Sequence, residues 1–425
     1  MDRDLRLLIL SNQCISNVTS NGRTMRNFLQ GWPKCNLAQF CIKGTAPDFS
    51  VCDRYYCVSD GAALRAFLSG KPAIASDLQE EVQSQARKQA AAGTRRNALT
   101  MLLREWIWNS MRWAGADFYR WVEQFRPEQI LLQSGDCGFM LRLARHLAQR
   151  YQIPLVIYNS EGYYFKDFDY FRSRGVAKLA YPGFRRYYCR EFEKTMDLTA
   201  GTVYCCDKLK RDYDVRFSGM STVIHTATQM QSKPRETWNS PLRISYLGNL
   251  GVGRHESLIQ IGEALQQISP EGKLDVYGPA EGESVMTALE HCPGIRYRGF
   301  VDYETVVQVI RDSDILVHGE SFDAFYREDL KYAFSTKIAD SLGSGRCFVL
   351  YAPEEMACTA YLQENGAAHV VTRQEALLPT LRKLWEDPWE RGRYVNRAQT
   401  LAKENHDMEN NSARFQQFLR ESGIV

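Results

Sequence analysis

The clearest sign of the fold lies in residues 242–268, which read LRISYLGNLGVGRHESLIQIGEALQQI. The segment predicts a strand, Leu242–Leu247, a glycine-rich loop, Gly248–Gly253, and a helix, Arg254–Ile268. The backbone amides of such a loop, and of the start of such a helix, can approach a diphosphate closely. The glycine spacing is G-x-x-G-x-G, whereas a dinucleotide-binding loop reads G-x-G-x-x-G, which argues against an NAD enzyme. An ordinary strand-to-helix turn is the alternative interpretation.

The second half of the chain continues this alternation of strand and helix. Alternation of this kind predicts a parallel, doubly wound sheet, and ligands of such sheets bind at the carboxyl ends of the strands. The further predicted strands are Lys273–Tyr277, Ile295–Arg298, Ile315–His318, Cys347–Leu350 and His369–Thr372. The predicted helices include Tyr303–Ser313 and Ser335–Leu342.

The first half has the same pattern, and a polar segment separates the halves. Its predicted strands are Leu5–Leu10, Ala38–Ile42, Tyr55–Val58, Gln129–Gln133, Pro154–Tyr158, Thr199–Tyr204 and Thr222–His225, with helices over Arg23–Gln30 and Phe139–Tyr151. Thr226–Ser240 is predicted to be the interdomain linker. The predicted fold class is therefore α/β, with two doubly wound Rossmann-like domains, residues 1–228 and 240–405, facing a cleft.

Length and composition limit the classes of protein to which this chain can belong. A chain of 425 residues suits two domains, and a net charge of +3 does not call for a nucleic acid partner. The twelve cysteines include no C-x-x-C pair and fit reduced cytosolic thiols. The N-terminal apolar run of four residues is too short for a signal peptide, and no run approaches the roughly 18 apolar residues of a spanning helix. We expect a cytoplasmic protein, at most peripheral to the inner face of the cell membrane.

Several segments resemble the nucleotide-sugar glycosyltransferases of GT-B architecture, and more narrowly glycosyltransferase family 4. The resemblance covers nearly the whole second domain and is weaker in the first. The segments that carry it are YLGNLGVGRHESLIQIGEAL (246–265), DVYGP (275–279), RGFVDYETVVQVIRDSDILVHGES (298–321), FSTKIADSLGSGRCFVLYAPEE (334–355) and, more weakly, SNGRTMRNFLQGWP (20–33).

The resemblance implies a retaining sugar transfer from a nucleoside diphosphate sugar to an acceptor hydroxyl, with no metal or other cofactor required. The acceptor would be a glycan or a lipid-linked glycan, and surface polysaccharide assembly is the family's commonest setting. The GT-B architecture also implies that a C-terminal helix, at about residues 407–425, crosses back to the N-terminal domain.

The loop after the first strand of the second domain is the predicted diphosphate site. Gly248, Gly251 and Gly253 would let backbone amides approach the phosphates, and Arg254 would add a bidentate contact. Gly278, which ends the next strand, is assigned to the same donor site.

An acidic pair follows from the resemblance, in which the first residue faces the donor sugar and the second holds the ribose hydroxyls. Glu320 matches the first position. There are two candidates for the second position. Glu328 follows Glu320 at the spacing that separates the two acids in the family. Asp340 instead occupies the place of the family's second acid when the helix and the glycine after it are aligned. Asp340 is preferred, which means that this chain lengthens the loop and replaces Glu with Asp.

Two more segments of the second domain are assigned to the donor. Phe300 and Val301 lie where the family's loop meets the nucleotide base, although Phe300 also suits a simple core aromatic. Ser335 and Thr336 begin a helix whose dipole favours the diphosphate, and Lys337 adds charge. The alternative for the helix is a plain capped start with a solvated lysine.

The first domain offers fewer candidates. Gly22 and Arg23 follow the first strand, where a GT-B loop faces the donor diphosphate, and Arg23 would neutralise the leaving group. Glu161 replaces the histidine-containing loop of many family members and is a candidate on the acceptor side, against a plain surface glutamate. Asp136 either lines the cleft or caps the following helix.

Other interpretations stay open at this point. A catalytically inactive homologue that serves as a binding partner would explain the altered acidic pair, and a nucleotide-sugar epimerase or a phosphorylase-like enzyme shares the architecture. The D-x-D triplets 167–169 and 212–214 resemble metal sites of another glycosyltransferase fold but lack the right topological context. The segments 100–125, with Trp106, Trp108, Trp113 and Trp121, and 170–192 are rich in aromatic and basic residues. They are candidates for contact with an anionic membrane, or else they pack inside the domain.

Overall fold

The computed structural model describes residues 5–17, 19–43, 47–73 and 96–423. It divides into two compact units. Unit 1 comprises the chain up to Ile224 together with the segment from Glu409 onward, and unit 2 comprises His225–Met408.

Unit 1 is built on a parallel sheet of seven strands in the order β3-β2-β1-β4-β5-β6-β7. The central strand β1 is buried without a break from Leu7 to Leu10, as expected of a sheet that is covered on both faces. The strands are β1 Leu7–Gln13, β2 Leu37–Lys43, β3 Arg54–Cys57, β4 Gln129–Gln133, β5 Leu155–Asn159, β6 Thr199–Tyr204 and β7 Ser221–Val223.

The helices of unit 1 fall mostly between successive strands. They are α1 Ser20–Phe28, α2 Asp60–Ser69, α3 Ala98–Asn109, α4 Ala116–Phe125, α5 Gly138–Tyr151, α6 Tyr181–Met196 and α7 Asp207–Asp214. Short 3-10 helices lie at Lys34–Asn36, Tyr163–Phe165 and Gly175–Ala180.

Unit 2 contains a parallel sheet of six strands in the order β10-β9-β8-β11-β12-β13. The strands are β8 Ile244–Leu247, β9 Leu274–Tyr277, β10 Ile295–Gly299, β11 Ile315–Gly319, β12 Cys347–Tyr351 and β13 His369–Val371. The strand order reverses between β8 and β11, and the carboxyl ends at such a switch point are where doubly wound sheets bind ligands.

The helices of unit 2 lie between its strands, and the last of them follow the final strand, β13. They are α8 Arg254–Ile268, α9 Glu283–Glu290, α10 Tyr303–Asp312, α11 Ala324–Asp329, α12 Thr336–Gly343, α13 Ala357–Asn365, α14 Leu377–Glu386, α15 Pro388–Gly392 and α16 Val395–Asn405, with a 3-10 helix at Gln374–Ala376. Among the described residues, no helix combines the length and the apolar character that crossing a membrane requires.

The last helix, α17 Met408–Ser422, belongs to unit 1 apart from its first residue. The Phe415 ring stacks on Phe28 with centroids 4.6 Å apart. Gln129 Nε2 donates to the carbonyl of Leu419 at 2.8 Å, and Ser412 Oγ donates to the carbonyl of Phe28 at 3.1 Å. The chain thus returns to the N-terminal unit, and residues 424–425 of the predicted helix lie outside the described part.

The prediction of two parallel α/β sheets is confirmed, but two local predictions need correction. The helix α1 begins at Ser20 rather than at Arg23, which places Gly22 in its first turn instead of a loop, because Thr19 caps the helix and its Oγ1 accepts a hydrogen bond from Gly22 N at 3.1 Å. Part of the proposed linker is bound along unit 2, where Ser232 N donates to the carbonyl of Gly343 at 3.2 Å. A Cβ at Gly343 would lie 2.1 Å from the Met230 carbonyl, so a glycine is needed there.

Candidate active site

The switch point of unit 2 brings two predicted site residues into direct contact. Arg254 is the first residue of α8, after the glycine-rich loop, and Glu320 directly follows β11. Arg254 Nε donates to Glu320 Oε2 at 2.8 Å, and Arg254 Nη2 donates to Oε1 at 3.1 Å. Both side chains are largely buried, at 14% and 2% exposure. The pair is therefore a bidentate, buried ion pair, which is the strongest geometry that these groups form.

A third residue, His318, completes the cluster and was not predicted. Its Nε2 lies 3.0 Å from Glu320 Oε1, and its ring stacks on Tyr246 with centroids 6.3 Å apart. His318 Nδ1 is buried and has no hydrogen-bond partner among the described residues. Side chains two residues apart along a strand point to the same face of the sheet. This alternation could have indicated that His318 lies beside Glu320.

The charge state of this cluster follows from its contacts. Burial opposes ionisation of Glu320, but the charge of Arg254 and the hydrogen bond from His318 outweigh it and lower the pKa of Glu320 to about 2. Burial also opposes the charge of Arg254, but its carboxylate partner raises the pKa of the guanidinium. Glu320 is therefore a permanent carboxylate near neutral pH and no source of protons.

Backbone and side chain contacts fix the loop that carries Glu320. Glu320 N donates to the carbonyl of Tyr351 at 3.0 Å, and Ser257 Oγ donates to the carbonyl of Glu320 at 2.7 Å. Ser257 lies on α8, the same helix that Arg254 begins. One helix thus positions both the carboxylate and its cationic partner.

Three glycines of the site lie in close contact with neighbouring loops. Gly253 caps α8 with φ at +75°, and a Cβ there would lie 2.6 Å from Ser321 Oγ. A Cβ at Gly251 would meet the Glu281 carboxylate at 2.2 Å. At Gly278 the Cβ would come within 1.7 Å of the carbonyl oxygen of Gly248. The loops after β8, β9 and β11 therefore approach one another closely. A side chain at Gly278 would meet backbone and push two loops apart, whereas the flexible Glu281 carboxylate could move away from one at Gly251.

The loop after β10 presents an exposed aromatic residue. Phe300 is 78% exposed, which excludes the alternative that it is a core aromatic. The preceding residue, Gly299, has φ at +73°, and its carbonyl accepts a hydrogen bond from Gly278 N at 2.8 Å. Val301 is half-buried beside Phe300. The loop is thereby fixed to the end of β9, and its contact with a base remains a prediction.

The helix α12 begins as the sequence predicts, but its acidic residue, Asp340, already contacts two other side chains. Ser335 caps the helix, since its Oγ accepts a hydrogen bond from Lys337 N at 3.2 Å, and Thr336 is the first helical residue. Asp340 Oδ1 accepts a hydrogen bond from Thr228 Oγ1 at 2.7 Å, and Lys337 Nζ lies 3.8 Å from Asp340 Oδ2. Lys337 is thus paired within its helix rather than simply solvated.

Glu328, the alternative candidate for the ribose contact, lies on a helix that was not predicted from the sequence. Glu328 is exposed on α11, a short helix inside the long loop after β11, and Asp323 caps that helix by accepting from Phe325 N at 3.0 Å. Asp340 is buried at 8% exposure, whereas Glu328 faces solvent. The assignment of the ribose contact to Asp340 or Glu328 stays a prediction.

The candidates of unit 1 are spread over the carboxyl edge of its sheet. Gly22 lies within the first turn of α1, where a Cβ would meet the carbonyl oxygen of Cys14 at 2.6 Å, and Arg23 Nη2 donates to the Asn17 carbonyl at 3.0 Å. Glu161 is half-exposed and lies 3.9 Å from the buried Lys166. Their roles toward donor and acceptor remain predictions.

A buried carboxylate that the sequence reasoning missed holds the start of α5. Glu105, on α3, accepts hydrogen bonds from Gly138 N at 2.9 Å and Phe139 N at 2.7 Å. Burial raises the pKa of Glu105 to about 8, against the opposing effects of Arg104 and these two amides. Asp136, just before the helix, is paired with Arg96 at 2.8 Å. The cap at α5 therefore comes from Glu105, a distant residue that no local pattern identifies.

The two D-x-D triplets have local partners. Asp169 Oδ1 accepts from Phe171 N at 3.1 Å and its Oδ2 accepts from Ser173 N at 3.1 Å. Asp212 and Asp214 pair with lysines one helical turn earlier in α7. Within the described ranges, no group of three or more His, Cys, Asp or Glu side chains is arranged to hold a metal ion.

Comparison with known proteins places this geometry in a structural class. Residues 254–419 match the family model described as glycosyl transferase-like, and no curated protein sequence matches the chain. HepE from Anabaena, solved in complex with UDP, superposes with a TM-score of 0.64 at 10% identity over 98% of this chain and 99% of its own. The fold is GT-B.

Two further structures share the GT-B fold. Sucrose-phosphate synthase from Thermosynechococcus elongatus has a TM-score of 0.61 at 10% identity, covering 98% of each chain. WaaG, a glycosyltransferase involved in lipopolysaccharide biosynthesis, has a TM-score of 0.56 at 11% identity, covering 97% of this chain and 99% of its own. The family match begins at Arg254 and includes Glu320 and Asp340. The family match and the fold support a GT-B glycosyltransferase, whereas membership of family 4 stays a prediction.

Proposed function

We propose that the protein is a retaining, metal-independent glycosyltransferase that moves a sugar from a nucleoside diphosphate sugar to an acceptor hydroxyl. The observation that carries this proposal is the buried Arg254–Glu320 pair at the switch point of unit 2. It lies beside a glycine-rich loop and a helix start, which are the groups that bind a diphosphate. We take the acceptor to be a glycan or a lipid-linked glycan in surface polysaccharide assembly, reached from the cytoplasm.

The leaving diphosphate requires positive charge, and unit 2 supplies it. Arg254 begins α8 and Lys337 lies in the first turn of α12, so each cation adds to the positive end of a helix dipole. Fixed cations and helix starts stabilise developing negative charge without reorganisation. These groups are proposed to do the work that a metal ion does in other transferases.

The properties of Glu320 favour a route in which the phosphate, rather than an enzyme carboxylate, takes the acceptor proton. Its pKa of about 2 excludes a general acid role near neutral pH, and its pairing with Arg254 makes it a weak base. The carboxylate is buried and is held by Arg254 and His318, so we propose that it acts on the donor through the guanidinium that it orients.

The donor class is proposed from the comparisons. HepE has been solved with UDP and with UDP-glucose, which makes UDP-sugars the first donors to test. The involvement of WaaG in lipopolysaccharide biosynthesis favours a glycan acceptor of the cell surface. The proposal therefore covers a UDP-hexose and a saccharide or lipid-linked saccharide.

Sugar transfer is tested by incubating the protein with UDP-sugars and a panel of saccharide and lipid-linked acceptors in the presence of EDTA. We expect nucleoside diphosphate release that depends on the acceptor, and a product whose anomeric configuration by NMR equals that of the donor. Inversion of the anomeric centre would contradict the retaining mechanism. Conversion of the donor without any acceptor would indicate an epimerase, and binding without turnover on any acceptor would favour the inactive homologue.

A further inference from the structure

Three neighbouring helical segments of unit 1 expose apolar side chains that have no role in the core. They are α2, α3 and the 3-10 helix Gly175–Ala180, and together they form what we name the apolar face. Its exposed residues are Leu64, Leu68, Leu99, Leu103, Trp106, Val176 and Leu179. Leu68 is 74% exposed and Leu179 is 79% exposed. Single exposed apolar residues are ordinary, but a cluster on adjoining elements marks an interaction surface.

The helix α3 has apolar residues on two opposite sides. Its inner side buries Ala98, Met101 and Trp108 in the core of unit 1. Leu99, Leu103 and Trp106 recur at intervals of four and three residues, which places them in one stripe on the outer side. The inner side accounts for the folding of the helix, and in the part of the chain that the structure describes the outer stripe faces solvent.

Direct contacts join the three segments into one surface. The rings of Phe67 on α2 and Trp106 on α3 meet edge to face, with centroids 4.9 Å apart. At the other end of α3, Ala98 N donates to Ser173 Oγ at 2.8 Å, and Leu102 packs in the same cluster as Ala180. The exposed residues therefore lie on adjoining elements with α3 in the middle.

Among the described residues, exposed basic side chains lie on or next to the apolar face. Arg65, Lys71, Arg112, Arg172, Arg174 and Lys178 are exposed on or next to the three segments. Residues 170–190 include no Asp or Glu. Of the acids on α2 and α3, Glu105 is buried and Asp60 is paired with Arg104 at 2.7 Å. An apolar centre with a cationic surround complements an anionic lipid surface.

We infer that the apolar face docks unit 1 on an anionic bilayer surface, with Trp106 and the leucines at the boundary of headgroups and acyl chains. Tryptophan favours this depth, and the basic residues would contact the lipid phosphates. The structure also corrects the sequence-based candidates, because Trp108 and Trp113 are each only 1% exposed and belong to the core. The inference goes beyond the proposed sugar transfer and does not depend on the donor site.

The experiment is co-sedimentation of the full chain with phosphatidylcholine vesicles that contain or lack phosphatidylglycerol. We expect binding that requires phosphatidylglycerol and weakens when the salt concentration is raised to about 0.5 M. The double variant Leu103→Ser/Trp106→Ser should bind about tenfold more weakly or worse, because it removes buried apolar area at the interface. Since both residues are exposed, the circular dichroism spectrum and the unfolding midpoint of the variant should match those of the wild type.

The matched control is Trp389→Ser, which removes from unit 2 a tryptophan that is 71% exposed, against 63% for Trp106. It should bind vesicles like the wild type. The inference is overturned if the wild type does not sediment with anionic vesicles, or if Leu103→Ser/Trp106→Ser binds as well as Trp389→Ser. It is also overturned if sedimentation equilibrium shows a dimer that Trp106→Ser dissociates, because a second copy would then cover the face.

Discussion

The guanidinium of Arg254 and the carboxylate of Glu320 form two hydrogen bonds, of 2.8 and 3.1 Å, across the carboxyl ends of β8 and β11. Each residue therefore fixes the orientation of the other, and the charge of Arg254 helps to keep the buried Glu320 ionised by lowering its pKa. The glycine-rich loop and the loop after β11, which look like separate motifs in the sequence, form one site because of this pair.

Replacing Glu320 should remove turnover. Glu320→Gln keeps the shape of the side chain but loses the charge that orients Arg254, and we expect kcat to fall by about 100-fold or more, as for other electrostatic groups at reacting centres. Glu320→Ala should be at least as inactive and less stable, by about 3 kcal/mol, because it leaves a buried cation without its partner. Steady-state kinetics with Glu271→Ala, an exposed glutamate of unit 2 outside the candidate site, as the control would check this. Wild-type turnover in Glu320→Gln would reject the assignment.

The same pair should contribute to stability near neutral pH and lose this contribution in acid. The pKa of Glu320 is lowered to about 2 in the folded protein, below its ordinary value of 4.5. A lowered pKa stabilises the fold above pH 4.5, and this contribution is lost as the pH falls from 4.5 toward 2. Urea titrations at a series of pH values should show a steeper loss of unfolding free energy for the wild type than for Glu320→Gln. Parallel curves for the two proteins would mean that the pair is not formed in solution.

Glu105 should make the unfolding free energy depend on pH in the opposite direction. Burial raises its pKa to about 8, so folding favours the protonated form. The corresponding stability is full below pH 4.5 and is lost as the pH rises to about 8. The variant Glu105→Gln, which cannot ionise, should flatten the decline in unfolding free energy between these values. An unchanged slope would show that Glu105 stays ionised and that the Gly138 and Phe139 amides dominate.

Asp340 either binds the ribose or has a structural role, and a variant of its hydrogen-bond partner Thr228 can separate the two. If Asp340 holds the ribose, Asp340→Asn should raise the KM for the donor about tenfold, the effect of one charge-assisted hydrogen bond. Thr228→Val removes the hydrogen bond to Asp340 without removing the carboxylate and should lower stability with little change in KM. Equal effects of both variants on KM would assign Asp340 a structural role. An increased KM in Glu328→Ala alone would instead assign the ribose contact to Glu328.

Gly278 should not tolerate a side chain. Its φ is +152°, and a Cβ at this position would lie 1.7 Å from the Gly248 carbonyl oxygen, so Gly278→Ala must displace the glycine-rich loop. Gly282 also has a positive φ, +93°, but open space around it. Gly282→Ala should cost about 1 kcal/mol of backbone strain, and Gly278→Ala about 3 kcal/mol or more. Thermal unfolding would compare them, and equal losses would contradict the packing argument.

The sequence predicted the sheets well because buried parallel strands form short apolar runs between helices. The strand-and-helix pattern also put Arg254 at the start of a helix, whereas Glu320 was assigned from the family resemblance, and the roles of both stay predictions. The α1 start was missed because Asn21-Gly22 resembles a turn, whereas the Thr19 cap overrides that preference. Glu105 and the Thr228–Asp340 contact could not be predicted, because they join residues 33 and 112 positions apart in the chain.

The central claim is that the switch point of unit 2 binds a nucleoside diphosphate through Arg254. It is tested most directly by thermal unfolding with UDP, GDP, ADP and their sugars, in EDTA and in magnesium, for the wild type and Arg254→Gln. A ligand at about 100 times its Kd stabilises a protein by about 2.7 kcal/mol. We predict a shift with one nucleotide that is independent of metal and is lost in Arg254→Gln. The absence of a shift with every nucleotide, or an equal shift in Arg254→Gln, would contradict the claim.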